Sequence, residues 1–121
     1  MNPIFTKGYR AAAEVSPNQI VAWAGGSVAG SVTPAMATTD KLVGVTGLVG
    51  AAEGGVADVH RIGIAEVRLG GTVALGDEIT SDGSGFGVTL TGAGESIGRA
   101  ERAGVAGDII NVFLRPLTAA S

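Results

Sequence analysis

The chain of 121 residues contains no cysteine, one histidine, one tryptophan, one tyrosine and three phenylalanines. Without cysteine it can form neither a disulfide framework nor a thiolate metal site, which favours a reducing compartment. The single imidazole, His60, has no second nitrogen ligand nearby in sequence, so we interpret it as a partly exposed strand residue hydrogen-bonded to a neighbour. The glycine cluster at 83–87 lacks the Gly-Lys-Ser/Thr of a phosphate-binding loop. We therefore predict that the protein is not an enzyme and has no catalytic residue, no metal and no cofactor.

Positive charge is also scarce, with eight Lys and Arg against eleven Asp and Glu and a net charge of −3. Nucleic-acid-binding proteins carry a basic patch or stripe, so we expect no nucleic-acid partner. Apolar runs fall short of the roughly 18 residues that a membrane-spanning helix requires. The first eight residues lack the pattern of a secretory signal. These observations predict a soluble protein with no membrane partner.

Glycine is abundant instead, with 21 residues. Gly, Asn, Asp and Ser recur between short apolar stretches, which is typical of turns that join strands. We predict an all-β fold, a small single-domain β-barrel or β-sandwich with at most short helical turns, at 34–41 and 94–104. The domain is expected to span residues 9–117, between an extended arm at 1–8 and a flexible tail at 118–121. The predicted strands are 9–15, 19–24, 27–32, 42–49, 57–69, 78–80, 87–91, 96–100 and 108–115.

The two halves of the chain resemble each other when gaps are allowed. Two similar β-modules would close one barrel or sandwich, because a single module cannot bury its own face. Chance is the alternative explanation, since Gly, Ala and Val are common throughout the chain. The matching segments are Lys41-Leu42-Val43-Gly44-Val45-Thr46 with Glu95-Ser96-Ile97-Gly98-Arg99-Ala100, Gly55-Val56-Ala57 with Gly104-Val105-Ala106, and 15–20 with 73–79.

Two predicted strands carry apolar side chains on both of their faces. A strand with one face in water should alternate, so the loss of alternation indicates that the second face is also covered. The cover is either another subunit or, in a closed barrel, the surrounding loops. For the first case, the residues predicted at an oligomer interface are Ile62, Ile64, Ile109 and Phe113.

The N-terminus places two large apolar residues ahead of Gly8. An extended arm with a glycine hinge can add a strand to a partner's sheet, and its apolar side chains can fill pockets there. The alternative is a first strand within the protein's own barrel. Under the first interpretation, the residues predicted to bind a partner are Asn2, Pro3, Ile4, Phe5 and Thr6.

A series of short motifs runs in a fixed order along nearly the whole chain: Lys7-Gly8-Tyr9, Ala11-Ala12-Ala13, Val43-Gly44-Val45, Gly63-Ile64-Ala65-Glu66-Val67, 70–77 with Thr80-Ser81-Asp82, Ile97-Gly98-Arg99-Ala100 and Ala106-Gly107-Asp108-Ile109-Ile110. In their order and spacing they resemble the small Gly/Ala/Val-rich capsid decoration, or cement, proteins of tailed bacteriophages. This resemblance implies a β-rich structural virion protein, commonly a homotrimer, made in the host bacterial cytoplasm and bound to the outer capsid surface. It also implies that the partner is the major capsid protein and that the protein stabilises the head by holding capsid subunits together. Either the arm or the C-terminal residues 116–121 would contact the capsid.

The sequence also allows a second function, that of a β-barrel binding module or head-displayed adhesin that recognises a host-surface carbohydrate. Carbohydrate sites use exposed aromatic rings for stacking. Tyr9, Trp23 and Phe86 are few and scattered along the sequence. We predict that Trp23 lies in the core, with an interface anchor as the alternative.

Overall fold

The computed structural model describes residues 2–24, 31–35, 41–91, 94–114 and 119–120. Within these ranges the chain forms strands and turns but no helix, and hence no helix able to cross a membrane. The all-β fold class is confirmed. The strands are β1 (Asn2–Ala11), β2 (Ile20–Trp23), β3 (Ser31–Pro34), β4 (Leu42–Thr46), β5 (Val56–Arg68), β6 (Glu78–Ser81), β7 (Gly87–Thr89), β8 (Gly94–Glu95), β9 (Gly98–Ala100), β10 (Ile109–Leu114) and β11 (Ala119–Ala120).

Strands β1 to β5 close into a barrel in the order β1-β3-β2-β4-β5, because β1 pairs on both of its sides. Strand β1 runs antiparallel to β5 and pairs in parallel with β3 at Arg10 and Ala11. A barrel of few strands has a narrow interior, and the side chains that fill this one are mostly small. They are Tyr9, Ala11, Val15, Val21, Val32, Val43, Ala57 and Val59.

The long strand β5 leaves the barrel and starts a second unit. Its second half pairs antiparallel with β10, and the sheet continues through β9 and β6 to β7. Gly63 lies at this transition with φ of 106°, a backbone conformation that glycine adopts far more readily than other residues. The two units therefore share a continuous strand.

A second apolar core lies between the outside of the barrel and this second unit. In β2, Val21 points into the barrel, whereas Ile20 and Ala22 point into the second core. Alternate side chains of one strand thus belong to different cores, as the two-residue period of a strand requires. The remaining members of the second core are Ala35, Leu42, Val45, Ala65, Val67, Leu69, Val73, Ile79, Ile97, Ala100, Ile110, Val112 and Leu114.

The strand pairing contains two similar β-modules, as predicted, but one of the predicted segment matches is wrong. Gly54 and Gly107, with φ of 86° and 92°, occupy equivalent turn positions, so Gly55-Val56-Ala57 corresponds to residues 108–110 and not to Gly104-Val105-Ala106. In the first module β4 lies between β2 and β5, and in the second β9 lies between β6 and β10. A bridge between Val15 and Ala51 joins the segment before β2 to the loop between β4 and β5. A bridge between Val73 and Gly104 joins the segment before β6 to the loop between β9 and β10 in the same way.

Backbone hydrogen bonds match as well. The bond from Thr46 N–H to Gln19 O in the first module corresponds to that from Ala100 N–H to Asp77 O in the second, both 2.9 Å long. Likewise, Gly47 N–H donates to Asp58 O at 3.1 Å and Glu101 N–H donates to Asn111 O at 2.9 Å.

Equivalent glycines allow a close strand crossing in each module. A Cβ added to Gly44 would lie 2.2 Å from the carbonyl oxygen of His60, and one added to Gly98 would lie 1.9 Å from that of Phe113. Gly44 and Gly98 occupy matching positions in the two aligned motifs of the sequence. The repeat is therefore preserved where the backbone leaves no room for a side chain.

Several predicted boundaries differ from the observed ones. The segment 94–104, where a helical turn was predicted, instead contains β8 and β9, while the helical turn at 34–41 and part of the strand at 27–32 lie outside the described residues. The described part of the predicted arm, residues 2–8, belongs to β1, which continues to Ala11 and pairs irregularly with β5 between Pro3 and Thr6, so the predicted division of the chain at residue 8 stays a prediction. In the tail, Ala119–Ala120 pairs with Gly94–Glu95, and residues 118 and 121 lie outside the described part of the chain.

Candidate functional site

The four residues predicted at an oligomer interface lie on one face of the sheet. Ile64 pairs directly with Phe113 across β5 and β10, and Ile62 lies two residues before Ile64. Ile109 is at the other end of β10, so it projects from the same side as Phe113. Its side chain is 48% exposed and that of Phe113 45%, while Ile62 and Ile64 are half-buried. We call these four residues the apolar face.

The opposite side of the same strands is fully buried. In β10, Ile110, Val112 and Leu114 are buried while the residues between them are exposed, so the strand alternates cleanly in a single chain. The second apolar face that the sequence indicated is therefore real and is left facing solvent. Loops do not cover Ile109 or Phe113 within the described part of the chain.

The N-terminal residues lie beside the apolar face. The backbone of Asn2 pairs with Ile64, and that of Phe5 pairs with Ile62, on the edge of β5 opposite to β10. The structure thus places 2–6 in the first strand of the protein's own barrel, the alternative interpretation of this segment. Binding of a capsid by these residues stays a prediction, and the backbone pairing places them on the strand next to Ile62 and Ile64.

A second cluster lies at one end of the barrel and combines two aromatic rings with two cations. The rings of Tyr9 and Trp23 meet edge to face with centroids 5.4 Å apart. The Arg61 guanidinium carbon is 6.0 Å from the Tyr9 ring centroid and 5.7 Å from that of Trp23. Lys7 Nζ lies 5.4 Å from the Tyr9 centroid. We call these four residues the barrel-mouth cluster.

Sequence reasoning missed this cluster and placed Trp23 in the core, whereas its side chain is 39% exposed. Its members come from β1, β2 and β5, which the barrel brings together. The alternation of side chains along each strand could have indicated this cluster. Trp23 follows the interior Val21 by two residues, Tyr9 precedes Ala11, and Arg61 follows Val59, so all three point toward the barrel interior at the ends of their interior-facing rows.

His60 is buried rather than partly exposed, with 8% of its surface accessible. Its Nδ1 lies 2.7 Å from the Thr6 hydroxyl, and its Nε2 has no hydrogen-bond partner among the described residues. Burial lowers the pKa of the imidazole below its ordinary value of 6.5, and the negative charge of Asp58 acts in the opposite direction. A pocket of about 300 Å³ is lined by Thr6, Gly47, Leu48, Val49, Asp58 and His60.

Stability is expected to fall as the pH is lowered from about 7 to about 5.5, because the unfolded chain takes up a proton on His60 near its ordinary pKa while the folded chain resists it. The contribution of the neutral ring is fully present above the unfolded pKa and is lost as the pH approaches the lower folded pKa. His60→Gln should flatten this dependence in urea titrations at several pH values. The chain has no second histidine, so an unchanged slope in the variant would contradict the assignment.

The carboxylates near the predicted turns serve the backbone. Asp77 Oδ2 accepts hydrogen bonds from the Ala74 N–H at 3.0 Å and the Thr89 hydroxyl at 2.8 Å. These bonds lower the pKa of Asp77, the backbone bond most. Asp82 Oδ1 accepts from the N–H groups of Ser84 and Phe86. The described residues include no group of three or more His, Cys, Asp or Glu arranged to hold a metal ion.

The fold and its surfaces define a small β-barrel with an appended β-module and an exposed apolar face. No protein-family model and no curated protein sequence matches this chain. Among solved structures, the chain is similar to "The crystal structure of head fiber gp8.5 N base in bacteriophage phi29", with a TM-score of 0.70 and 16% sequence identity. The similarity covers 92% of this chain and 93% of that chain. It extends over both modules and shows a common fold.

Proposed function

We propose that this protein is a structural component of a tailed-phage head, a decoration or cement protein on the outer surface of the shell. In this role it binds the major capsid protein and stabilises contacts between capsid subunits. The observation that carries the proposal is the fold shared with a phage head-fibre base over nearly the whole of both chains. Because one fold can serve several functions, the surface of this chain has to supply independent support.

The apolar face supports association with other copies. Phe113 is about half exposed and pairs with the half-buried Ile64, and Ile109, also about half exposed, lies on the same side of β10 beyond the Asn111–Glu66 pair. Large exposed apolar side chains gathered on one side of a sheet and rimmed by polar residues mark interaction sites on proteins. A homotrimer, which the resemblance to decoration proteins implies, would use a head-to-tail interface that closes around a threefold axis.

In this proposal the N-terminal half of β1 supplies the contact with the capsid. Its backbone pairs with β5 at Ile62 and Ile64, so an oligomer formed through the apolar face would carry several copies of this segment close together. Linked copies bind a repetitive shell far more tightly than one copy does, because each further contact is intramolecular. A small interface per chain is then sufficient.

Phe113→Glu is expected to convert the oligomer to a monomer, because the interface would bury a carboxylate without a partner. We expect the dissociation constant to rise by at least about 100-fold, which corresponds to about 2.7 kcal/mol. Light scattering on size-exclusion fractions measures the mass directly. Leu75→Glu is the matched control, since Leu75 is 70% exposed on a turn outside the apolar face. A wild-type protein that remains monomeric at 0.1 mM, roughly a hundred times a micromolar affinity, would contradict the oligomer.

The capsid role is tested separately, on heads assembled without this protein. Adding back the wild-type chain should raise the temperature at which the heads release DNA, and Phe113→Glu should restore much less of that resistance than Leu75→Glu. Equal heat resistance of bare and decorated heads would refute the cement function even if the oligomer is confirmed.

The second candidate, a head-displayed adhesin for a host-surface carbohydrate, is favoured by the barrel-mouth cluster. The aromatic residues that are scattered in the sequence come together in the fold, with Tyr9 and Trp23 in contact and Trp23 partly exposed. Decoration and adhesion use different surfaces of the chain, so one protein can perform both.

A further inference from the structure

We propose that the barrel-mouth cluster is a binding site for a carbohydrate that carries an anionic substituent, such as a uronate. The proposal deepens the adhesin candidate by naming the chemistry of its ligand. It does not depend on binding to a capsid, so the capsid experiments and the one below can fail independently.

The aromatic half of the site is Trp23, supported by Tyr9. Tyr9 is 8% exposed and belongs to the barrel core, so its edge-to-face contact fixes the orientation of the indole. The Trp23 side chain keeps 39% of its surface accessible at the end of β2. An exposed indole held rigidly offers a flat apolar surface to the C–H face of a sugar ring at a small entropic cost.

The cationic half is Arg61 with Lys7. Arg61 Nη1 donates a 3.0 Å hydrogen bond to the Tyr9 hydroxyl, which fixes the guanidinium beside both rings and leaves its other N–H groups for a ligand. Neither Arg61 nor Lys7 has a carboxylate partner among the residues that the structure describes. A fixed guanidinium binds carboxylate or phosphate through paired hydrogen bonds, and Lys7 adds a second positive charge.

A nucleic acid would also use aromatic rings and cations, but it needs a basic track along its backbone. This chain has a net charge of −3, and the cluster contains one exposed ring and two cations. That is enough for one charged sugar unit and too little for a strand of phosphates. The geometry therefore favours an acidic carbohydrate.

The experiment uses Trp23 as its own reporter, because the chain contains a single tryptophan. Titrating the full chain with trigalacturonate at low salt should change the indole fluorescence in a saturable way. Maltotriose, which offers sugar faces without a charge, should bind at least about tenfold more weakly, since the carboxylate contact with Arg61 is missing. Glucose 1-phosphate distinguishes a phosphate substituent from a carboxylate.

Arg61→Gln should weaken trigalacturonate binding by about tenfold or more. Lys7→Gln, which leaves the Arg61–Tyr9 hydrogen bond in place, should weaken it by roughly threefold, as expected for an exposed charge. Arg68→Gln is the matched control, because Arg68 lies over the lone ring of Phe86 at 5.8 Å and away from the cluster. Thermal melts identify any variant that loses its fold, and Lys7→Gln remains informative if Arg61→Gln does so.

Three results would overturn the proposal. The first is the absence of any saturable change with trigalacturonate or glucose 1-phosphate. The second is equal weakening by Arg61→Gln and Arg68→Gln, which would indicate a general charge effect. The third is binding of oligothymidylate at least as tight as that of trigalacturonate, which would assign the cluster to single-stranded nucleic acid.

Discussion

Gly98→Ala is expected to lower the free energy of unfolding by about 3 kcal/mol, at the upper end of the range for overpacking a folded interior. The added Cβ would lie 1.9 Å from the carbonyl oxygen and 2.8 Å from the carbonyl carbon of Phe113. Backbone atoms cannot move aside as a flexible side chain would, so β9 would have to separate from β10. Thermal unfolding should show a decrease in Tm of roughly 10 °C.

Gly44→Ala tests the equivalent close strand crossing in the first module. Its Cβ would lie 2.2 Å from the carbonyl oxygen of His60, so we expect a loss similar to that of Gly98→Ala. Gly71→Ala is the matched control, because its Cβ would meet only Val88 Cγ1 at an ordinary 3.5 Å. That control should change the free energy of unfolding by less than about 0.5 kcal/mol. If Gly44→Ala and Gly98→Ala also lower the free energy of unfolding by less than about 0.5 kcal/mol, the backbones at these two strand crossings are further apart than the structure places them.

Leu114→Ala is expected to cost about 3 kcal/mol, the typical loss when a buried leucine leaves a cavity. Leu114 is 1% exposed and belongs to the core between the barrel and the second module. Urea unfolding followed by circular dichroism measures the change. Val105→Ala, at a side chain that is 55% exposed on a turn, is the control and should lie within about 0.5 kcal/mol of wild type.

The same series tests whether the two modules unfold together. Val59→Ala removes two methyl groups from the barrel core and should cost about 2 kcal/mol. Strands β2, β4 and β5 contribute side chains to both cores, so each variant should shift one common transition. A second transition that appears only in Leu114→Ala would show that the barrel unfolds independently of the second module.

Local patterns in the sequence predicted most of the strands and the repeat. Turn residues bound each short strand, and the matched motifs around Gly44 and Gly98 reflect equivalent positions in the two modules. The N-terminal boundary could not be predicted in the same way. An extended segment forms a strand equally well with its own chain or with a partner, and only closure of the barrel by β1 decides between them.

The two candidate surfaces also differ in whether local sequence patterns could predict them. The apolar face was predictable because Ile62, Ile64, Ile109 and Phe113 break the alternation of their strands, and the register of β5 with β10 places them on the same side of the sheet. Their role at an oligomer interface stays a prediction. The barrel-mouth cluster was not predictable. Lys7, Tyr9, Trp23 and Arg61 belong to three strands whose adjacency follows from barrel closure.

The sequence by itself determined two things. Its lack of cysteine and of clustered histidines excludes thiolate chemistry and sites built from several histidines, and its spacing of glycines predicts an all-β chain with an internal repeat. These are properties of composition and of neighbours along the chain. The tertiary structure alone decided that β1 closes a barrel, that His60 is buried, and that aromatic and cationic residues meet at its mouth. The physical reason is that contacts between distant strands depend on strand order and register, which local sequence preferences do not specify.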